Sequence, residues 1–372
     1  MIVMNDFKKQ WTDLRSDSLA AVERVGASGW YVLGKEVQAF EVALAELSGM
    51  RHAVGCANGL DAIEIALRAL GLQPGAKVLT TPLSAFATTL AIVRAGGVPV
   101  FVDVDRTGHL DLDLAEQVLA RHPDIRFMVP VHLFGHPVDL ERLQALRQKH
   151  GITLIEDAAQ SIQAQHGGRV VGSAGQATTL SFYPTKNLGA MGDAGALLTD
   201  DAALADRFRS LRDYGQSAKY VHSVIGMNSR LDELHAAVLH SAMLPRLAGW
   251  TERRRGIARR YAQGIHHDGV SVVSPTAPSL SAWHLFPVLV SPERREAFMA
   301  HLAARQVQSG IHYPRLIPDQ EAMLAVTGSQ VLGSLENAQR FAASEVSLPI
   351  HPFLSDNEVE QVIEAVNAWG HP

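Results

Sequence analysis

Short apolar segments alternate with amphipathic segments between residues 50 and 160. Strand-length apolar runs occupy residues 53–56, 77–81, 98–104, 127–132 and 152–157. Between them apolar residues recur at i, i+3 and i+4, as in Leu60, Ile63, Leu67 and Leu70, which is typical of one face of a helix. Residues 113–121 and 138–150 repeat that helical pattern. Strands separated by helices predict βαβ crossovers and a largely parallel sheet covered on both faces.

The alternation changes after Gly172. Residues 177–183 and 194–198 read as two strands joined by a glycine-rich turn, and 231–247 as a long helix. The basic run at 253–255 is predicted to be a solvated helix face. A strand at 281–290 and helices at 294–305 and 357–370 follow. We therefore predict a large domain over 1–248, with an N-terminal arm, and a smaller C-terminal α+β domain over 249–372.

Composition narrows the class of protein. The chain has 372 residues, 47% of them hydrophobic and 19% charged, as in soluble globular enzymes. A net charge of −5 gives no reason to expect a nucleic-acid or anionic-membrane partner. No apolar run approaches the roughly 20 residues that span a bilayer, and no secretion signal is visible. Cys56 has no cysteine to pair with, which fits a reducing compartment. We expect a cytoplasmic protein.

Three loops carry candidate chemistry, and each follows a predicted strand, where an open α/β sheet binds ligands. The first, residues 57–62 (ANGLDA), opens a helix whose unpaired N–H groups suit a phosphate, although Asn-Gly is also ordinary turn and cap chemistry. The second, residues 155–160 (IEDAAQ), ends a strand in two carboxylates. Either they hold a cation or a protonated ring nitrogen, or Asp157 caps a helix.

The third loop, residues 181–189 (SFYPTKNLG), places Lys186 among glycines and next to a strand. Most lysines are surface residues, and a lysine acts as a nucleophile towards a carbonyl only when its amine is neutral. Together, however, the three loops supply an anion cradle, a carboxylate and an amine in chain order. Pyridoxal 5'-phosphate needs those three groups, so the sequence predicts this cofactor. No spacing of His, Cys, Asp or Glu indicates a metal site.

The chain resembles the nucleotide-sugar aminotransferase family named after DegT, DnrJ, EryC and StrS. The similarity runs from residues 29–34 (GWYVLG) to 347–350 (SLPI) and includes 57–62, 155–160, 182–189 and 228–234 (NSRLDEL). It implies an α/β, aspartate-aminotransferase-like fold (fold type I of pyridoxal-phosphate enzymes). That fold has a large domain with a mixed, mostly parallel sheet and a smaller C-terminal α+β domain.

The resemblance also implies cofactor contacts at matched positions. Lys186 resembles the lysine that links covalently to the cofactor and later moves the proton. Asp157 resembles the carboxylate that pairs with the ring nitrogen, Gln160 resembles a contact of the phenolic oxygen, and Phe86 resembles the aromatic ring that lies over the pyridine. Ser181 and the backbone of Gly59 and Leu60 resemble phosphate contacts. Asn228 resembles a phosphate contact that comes from the partner subunit of a homodimer. Many members carry a hydroxyl residue where this chain has Leu60. We interpret Asp61 as a helix-capping residue that points away from the phosphate.

The implied reaction moves an amino group, with glutamate as donor, to a keto group of a nucleotide-linked sugar. By the same resemblance, leucine at position 60 favours carbon three of a deoxyhexose as the position that receives the amino group. A dehydratase using pyridoxamine phosphate is an alternative, but such relatives replace the lysine with histidine. A non-catalytic, sugar-responsive regulator is another, and it should have lost part of the Asp157 and Lys186 pair. Four residues are candidate substrate contacts: His132, Tyr183, His312 and Tyr313.

Overall fold

A computed structural model describes residues 1–370. Its helices are α1 (Phe7–Ser28), α2 (Lys35–Leu47), α3 (Gly59–Ala69), α4 (Phe86–Arg94), α5 (Leu112–Arg121), α6 (Leu140–His150), α7 (Ala202–Arg212), α8 (Glu233–Val238), α9 (Leu244–Gly264), α10 (Arg295–Ala304), α11 (Glu336–Ser344) and α12 (Asp356–Asn367). A π-helical turn over Leu239–Met243 joins α8 to α9.

The strands are β1 (His52–Cys56), β2 (Lys77–Thr80), β3 (Val98–Phe101), β4 (Phe127–Val129), β5 (Thr153–Asp157), β6 (Gln165–His166), β7 (Arg169–Val170), β8 (Ala177–Ser181), β9 (Gly195–Thr199), β10 (Gln216–Ala218), β11 (Val221–His222), β12 (Ser271–Val272), β13 (Ser279–Leu280), β14 (Phe286–Leu289), β15 (Gln330–Val331) and β16 (Glu345–Leu348). Several are shorter than their apolar runs, because burial continues after the ladder pairing ends.

An eight-stranded sheet forms the centre of the molecule, in the order β1-β9-β8-β5-β4-β2-β3-β15. Neighbours from β8 to β15 pair in parallel, whereas β9 is antiparallel to both β1 and β8. The sheet is therefore mixed and mostly parallel, as predicted. Apolar clusters lie against the sheet, one including β2, α3 and α7, another β3, α5 and α6. This arrangement explains why a central strand such as β4, with the sequence FMV, is apolar and buried at every residue.

A separate three-stranded sheet, β12-β14-β16, forms the centre of the C-terminal unit. Its core contains Tyr261, Phe286, Phe298 and Trp369, contributed by α9, β14, α10 and the segment after α12. Ile2 also belongs to this core, so the start of the N-terminal arm packs on the C-terminal unit.

The predicted boundary between 248 and 249 falls inside α9, which runs unbroken through it. The C-terminal part also returns to the large sheet, since β15 pairs in parallel with β3. Ile317 packs with Phe101 and Met323 beside that strand. Residues 317–331 thus contact the eight-stranded sheet. Local sequence patterns do not reveal this contact, because the strand pairing joins positions more than 200 residues apart.

The prediction of a solvated face for the basic run in α9 is wrong for two of its three arginines. Arg254 is 4% exposed and donates to the carbonyls of Ile350 and His284. Arg255 is buried and donates to the carbonyl of Ser281. These guanidinium groups join the helix to loops of the C-terminal unit because unpaired carbonyls there need donors.

Candidate active site

The carboxyl ends of β1, β5 and β8 meet at one edge of the sheet, because these strands run in the same direction. Across the ladder, Gly195 lies opposite both Cys56 and Ser181. A Cβ on Gly195 would lie 2.4 Å from the carbonyl carbon of Asn58, and one on Gly59 would lie 2.7 Å from Ser181 Cβ. Two glycines therefore allow the start of α3 and the end of β8 to approach closely.

The first turn of α3 has the geometry of an anion site. Asn58 is its N-cap, with Oδ1 accepting from the Asp61 N–H at 2.8 Å. Within residues 1–370, the N–H groups of Gly59 and Leu60 have no hydrogen-bond acceptor. The cap is thus Asn58, and the interpretation of Asp61 as the capping residue is wrong. The Asp61 carboxylate instead pairs with Arg94 at 3.3 Å.

Asp157, at the end of β5, is 4% exposed and held by two donors. The Thr88 hydroxyl donates to Oδ2 at 2.8 Å, and the Ala159 N–H donates to Oδ1 at 3.1 Å. Thr88 was missed in the sequence, where it is one of two adjacent threonines in α4. Only its position two residues after Phe86, at the start of a helix after a strand, could have indicated it.

Lys186 lies in the tight loop after β8. Its backbone N–H donates to the Tyr183 carbonyl at 2.8 Å, and a Cβ on Gly189 would lie 2.3 Å from the Pro184 carbonyl oxygen. Burial lowers the pKa of the Lys186 amine to about 8, and the Asp157 carboxylate acts in the opposite direction. The amine and that carboxylate therefore lie close enough to interact electrostatically.

Gln160 and Tyr313 meet beside this pair. Gln160 is buried, accepts from the Phe134 N–H at 2.6 Å through Oε1, and donates to the Tyr313 hydroxyl at 3.3 Å through Nε2. The backbone of Phe134 therefore orients the amide. Phe86 is half-buried at the first position of α4, where it packs against an apolar cluster.

The remaining candidate substrate contacts differ in their environments. His312 is part-buried, and burial together with the charge of Lys186 lowers the pKa of its imidazole to about 4. Tyr183 is 53% exposed at the edge of the site. His132 is fully buried, with Nε2 3.0 Å from Glu156 Oε2 and Nδ1 accepting from the Val138 N–H. Both its ring nitrogens are engaged, so the expectation that His132 contacts substrate is corrected to a structural role.

Asn228 has an exposed side chain, in the segment that follows the β10-β11 hairpin. Its backbone bridges to Asp213, while the next residue, Ser229, accepts from the Ala57 N–H at 3.1 Å. The structure of one chain brings Gly59 to Ser181 and Lys186 to Asp157, but it leaves the Asn228 side chain on the surface.

None of the helices within 1–370 is long and apolar enough to cross a bilayer. In the same range, no three or more His, Cys, Asp or Glu side chains are grouped so that they could hold a metal ion.

The mixed sheet, the loop lysine and the buried carboxylate define a pyridoxal-phosphate enzyme of the aspartate-aminotransferase-like class. The chain belongs to the DegT/DnrJ/EryC1/StrS aminotransferase family, whose model matches residues 12–367. This match confirms the resemblance and, with it, pyridoxal 5'-phosphate as the cofactor.

Individual relatives match over nearly the whole chain. It is 40% identical to dTDP-3-amino-3,4,6-trideoxy-alpha-D-glucose transaminase of Streptomyces venezuelae, over 98% of this chain and 95% of that protein. It is 41% identical to erythromycin biosynthesis sensory transduction protein EryC1 of Saccharopolyspora erythraea, over 98% of each. The X-ray structure of S. venezuelae DesV in complex with a ketimine intermediate matches with a TM-score of 0.94 at 40% identity, over 99% of this chain and 98% of that one.

The residues present fit the cofactor. The Gly59 turn, which a Cβ would fill, offers N–H groups to a dianion, and the Ser181 hydroxyl lies beside them. Asp157 presents a buried carboxylate suited to a protonated ring nitrogen, and Lys186 presents an amine suited to an aldehyde.

Proposed function

We propose that this chain transfers an amino group from an amino acid, glutamate by family resemblance, to a keto group of a nucleotide-linked sugar. The observation that carries the proposal is the pairing of a part-buried lysine with a buried, hydrogen-bonded carboxylate at the end of β5. Bound pyridoxal phosphate supplies an electron sink that stabilises negative charge at the carbon losing its proton.

Lys186 holds and moves the proton in this proposal. Only the neutral amine accepts a proton, and lowering its pKa from 10.5 to about 8 raises the neutral fraction at pH 7 roughly 300-fold. Asp157 is fixed in orientation by Thr88 and Ala159 and holds a proton on the cofactor ring nitrogen through charge pairing. Gln160 and Phe86 orient the ring plane, as the resemblance implies.

Substitution of Lys186 by alanine tests the assignment. We expect Lys186→Ala to bind the cofactor without a covalent link and to lose at least about a thousandfold in amino transfer, since general-base catalysis alone contributes about 10²–10⁴. Borohydride reduction followed by peptide mapping, together with glutamate-dependent transfer assays, measures both properties. Lys149→Ala, at a surface lysine, is the matched control. Near-normal transfer by Lys186→Ala would disprove the proposed role.

The presence of Lys186 also separates transfer from its alternatives. A dehydratase of this family would carry histidine at the position, and a regulator without chemistry would not need the Asp157 and Lys186 pair. An absorbance spectrum distinguishes the enzyme from the regulator. An absorbance band near the boundary between ultraviolet and visible wavelengths that shifts on adding glutamate supports the enzyme. A protein that stays colourless with added cofactor and ignores glutamate supports the regulator.

We further propose a 3-keto deoxyhexose on a nucleoside diphosphate as the acceptor. The Leu60 variant of the α3 turn supports this choice, as does the 3-amino sugar in the name of the 40% identical Streptomyces relative. The decisive measurement incubates 3-keto and 4-keto sugar nucleotides with glutamate and identifies the products by mass and NMR. Amination of the 4-keto compound alone would reject carbon three.

We propose that the active site is completed by a second copy of the chain. Asn228 is exposed, and beside it the hairpin segment presents Tyr220 at 81% and Ile225 at 89% exposure. Trp30 and Tyr31 are likewise more than half exposed. Large apolar side chains this exposed are costly in water and are typical of a surface that is covered by another protein.

A further inference from the structure

A chain of hydrogen bonds runs behind the imidazole of His312. Ser347 Oγ, on β16, lies 2.9 Å from His312 Nδ1 and 2.5 Å from Glu345 Oε1. The backbone N–H of His312 donates to the other carboxyl oxygen, Glu345 Oε2, at 2.6 Å. Glu345 and Ser347 are both 0% exposed, so solvent does not interrupt the chain. Glu345 thus contacts the backbone of His312 directly and its imidazole through the Ser347 hydroxyl.

In this series of hydrogen bonds, His312 is the member that faces the candidate active site. Its Nε2 has no hydrogen-bond partner within residues 1–370 and is not among their fully buried unpartnered atoms. The charge of Lys186 acts on the ring, and the neighbouring Tyr313 hydroxyl bonds to Gln160. The free nitrogen is therefore available to a substrate.

The hydrogen bonds among His312, Ser347 and Glu345 allow two arrangements of protons, because a serine hydroxyl carries only one hydrogen. With Glu345 ionised, Ser347 donates to it and accepts from Nδ1–H of His312, which leaves Nε2 a bare acceptor. With Glu345 protonated, the proton lies on Oε1, since Oε2 already accepts from the backbone. Ser347 then accepts from Oε1–H and donates to Nδ1, so Nε2 of His312 carries the hydrogen.

We propose that Glu345 is a positioning residue that, through the Ser347 hydroxyl, sets the tautomer of His312 and so decides whether Nε2 donates or accepts at the substrate side. The proposal rests on the proposed function for the sugar that Nε2 would meet. A donor at this atom suits a carbonyl or hydroxyl oxygen of such a sugar. The hydrogen bonds among His312, Ser347 and Glu345 themselves form without substrate.

Burial of Glu345 places the change of tautomer in a measurable pH range. Burial raises the pKa of Glu345 to about 8, against the Ser347 and His312 hydrogen bonds and the positive charge of Arg295 on α10. His312 stays neutral there, since burial and Lys186 lower its pKa to about 4. The other titratable groups that interact with the pair are Tyr313, through Glu345, and His284, through His312. Glu345 is thus the member that titrates near neutral pH.

Ring-nitrogen NMR of the substrate-free holoenzyme tests the proposal. The protein is labelled with ¹⁵N in its histidine rings, and His312→Asn identifies the signals of this residue. We expect the wild-type ring to change from Nε2–H to Nδ1–H as pH rises through about 8. In Glu345→Gln the amide carbonyl accepts from the backbone, its NH₂ donates to Ser347, and His312 stays in the Nε2–H form from pH 6 to 9.

Two variants of Ser347 separate a proton relay from simple packing. Ser347→Ala should abolish the pH-dependent change, whereas Ser347→Thr keeps a hydroxyl and should restore it. A wild-type ring that shows one tautomer across the range, or a Ser347→Ala ring that titrates like the wild type, would overturn the proposal. These spectra need no sugar, so failure of amino transfer leaves their outcome intact and the two proposals fail independently.

Discussion

At the scale of single residues, the candidate site depends on neighbouring groups that hold Asp157 and Lys186 in place. Thr88 and the Ala159 N–H fix the position of the Asp157 carboxylate, and Gly189 allows the tight loop that carries Lys186. A carboxylate that accepts two hydrogen bonds in a buried setting cannot rotate freely, and its charge is stabilised by the donors. Neighbours of this kind are rarely conspicuous in a sequence.

Thr88→Val tests the hold on Asp157. Loss of a hydrogen bond to a buried charged group costs about 1.5–3 kcal/mol, so we expect kcat/KM to fall about tenfold or more. Thr89→Val is the matched control, because the Thr89 hydroxyl is equally buried yet has no hydrogen-bond partner within residues 1–370. Steady-state kinetics and cofactor titration compare the two. Equal losses in both variants would assign the effect to packing in α4 and not to Asp157.

At the scale of elements, the proposed phosphate site is formed by three elements whose backbones approach closely at glycines. The start of α3, the end of β8 and the start of β9 meet at Gly59, Ser181 and Gly195. Backbone N–H groups bind an anion only when nothing stands in front of them, so close approach matters more here than any single side chain.

Gly195→Ala should therefore weaken cofactor binding. Its Cβ would lie 2.4 Å from the Asn58 carbonyl carbon, which forces the turn before α3 to move. We expect the dissociation constant of the cofactor to rise at least about tenfold, equivalent to about 1.4 kcal/mol. Fluorescence titration of the apoprotein measures it. Gly249→Ala, in α9 with nothing within 4 Å of the new methyl, should leave affinity unchanged and slightly stabilise the helix.

At the scale of the whole molecule, buried neutral histidines connect segments that are distant in the sequence. His351 is 2% exposed and its Nε2 lies 3.1 Å from the Val3 carbonyl, which joins the N-terminal arm to the segment after β16. Burial and the charge of Arg254 lower the pKa of His351 to about 4, and burial lowers that of His136 to about 3. Folding is therefore coupled to keeping these rings neutral.

Acid should destabilise the protein through these residues. An unfolded histidine has a pKa near 6.5, so below that value the unfolded state binds the proton first and stability is lost as pH falls towards 4. At pH 5 the His351 contribution amounts to about 2 kcal/mol. Urea unfolding at pH 7 and pH 5 should show a smaller drop for His351→Gln than for wild type. The exposed-site control His266→Gln should match wild type, and an unchanged drop in His351→Gln would refute the assignment.

The proposal that two copies of the chain share each active site is tested on mixed dimers. Lys186→Ala and Asn228→Ala are each expected to be inactive or severely impaired as homodimers. In a mixed dimer, one site would contain both mutations and the other an intact Lys186 with the partner's intact Asn228. Random association should then restore about a quarter of wild-type activity, since half the dimers are mixed and each has one good site. Recovery no better than the two variants measured separately would place Asn228 in the site of its own chain.

The sequence alone determined the cofactor and the class of fold, because the patterns that indicate both lie in short contiguous segments. Residues 57–62, 155–160 and 181–189 each lie at or directly after the carboxyl end of a strand, and strands that run in the same direction bring such ends to one edge. Glycines and apolar periodicity therefore carry enough information to predict Lys186, Asp157 and the Gly59 turn as neighbours.

Only the tertiary structure decided the contacts between distant segments. It paired Thr88 with Asp157, placed Glu345 and Ser347 behind His312, and buried Arg254 against the carbonyl of Ile350. It also gave His132 to Glu156 instead of to substrate. Periodicity reports which face of an element is apolar, but the partner of a buried polar atom depends on how elements dock, and that information is spread over the whole chain.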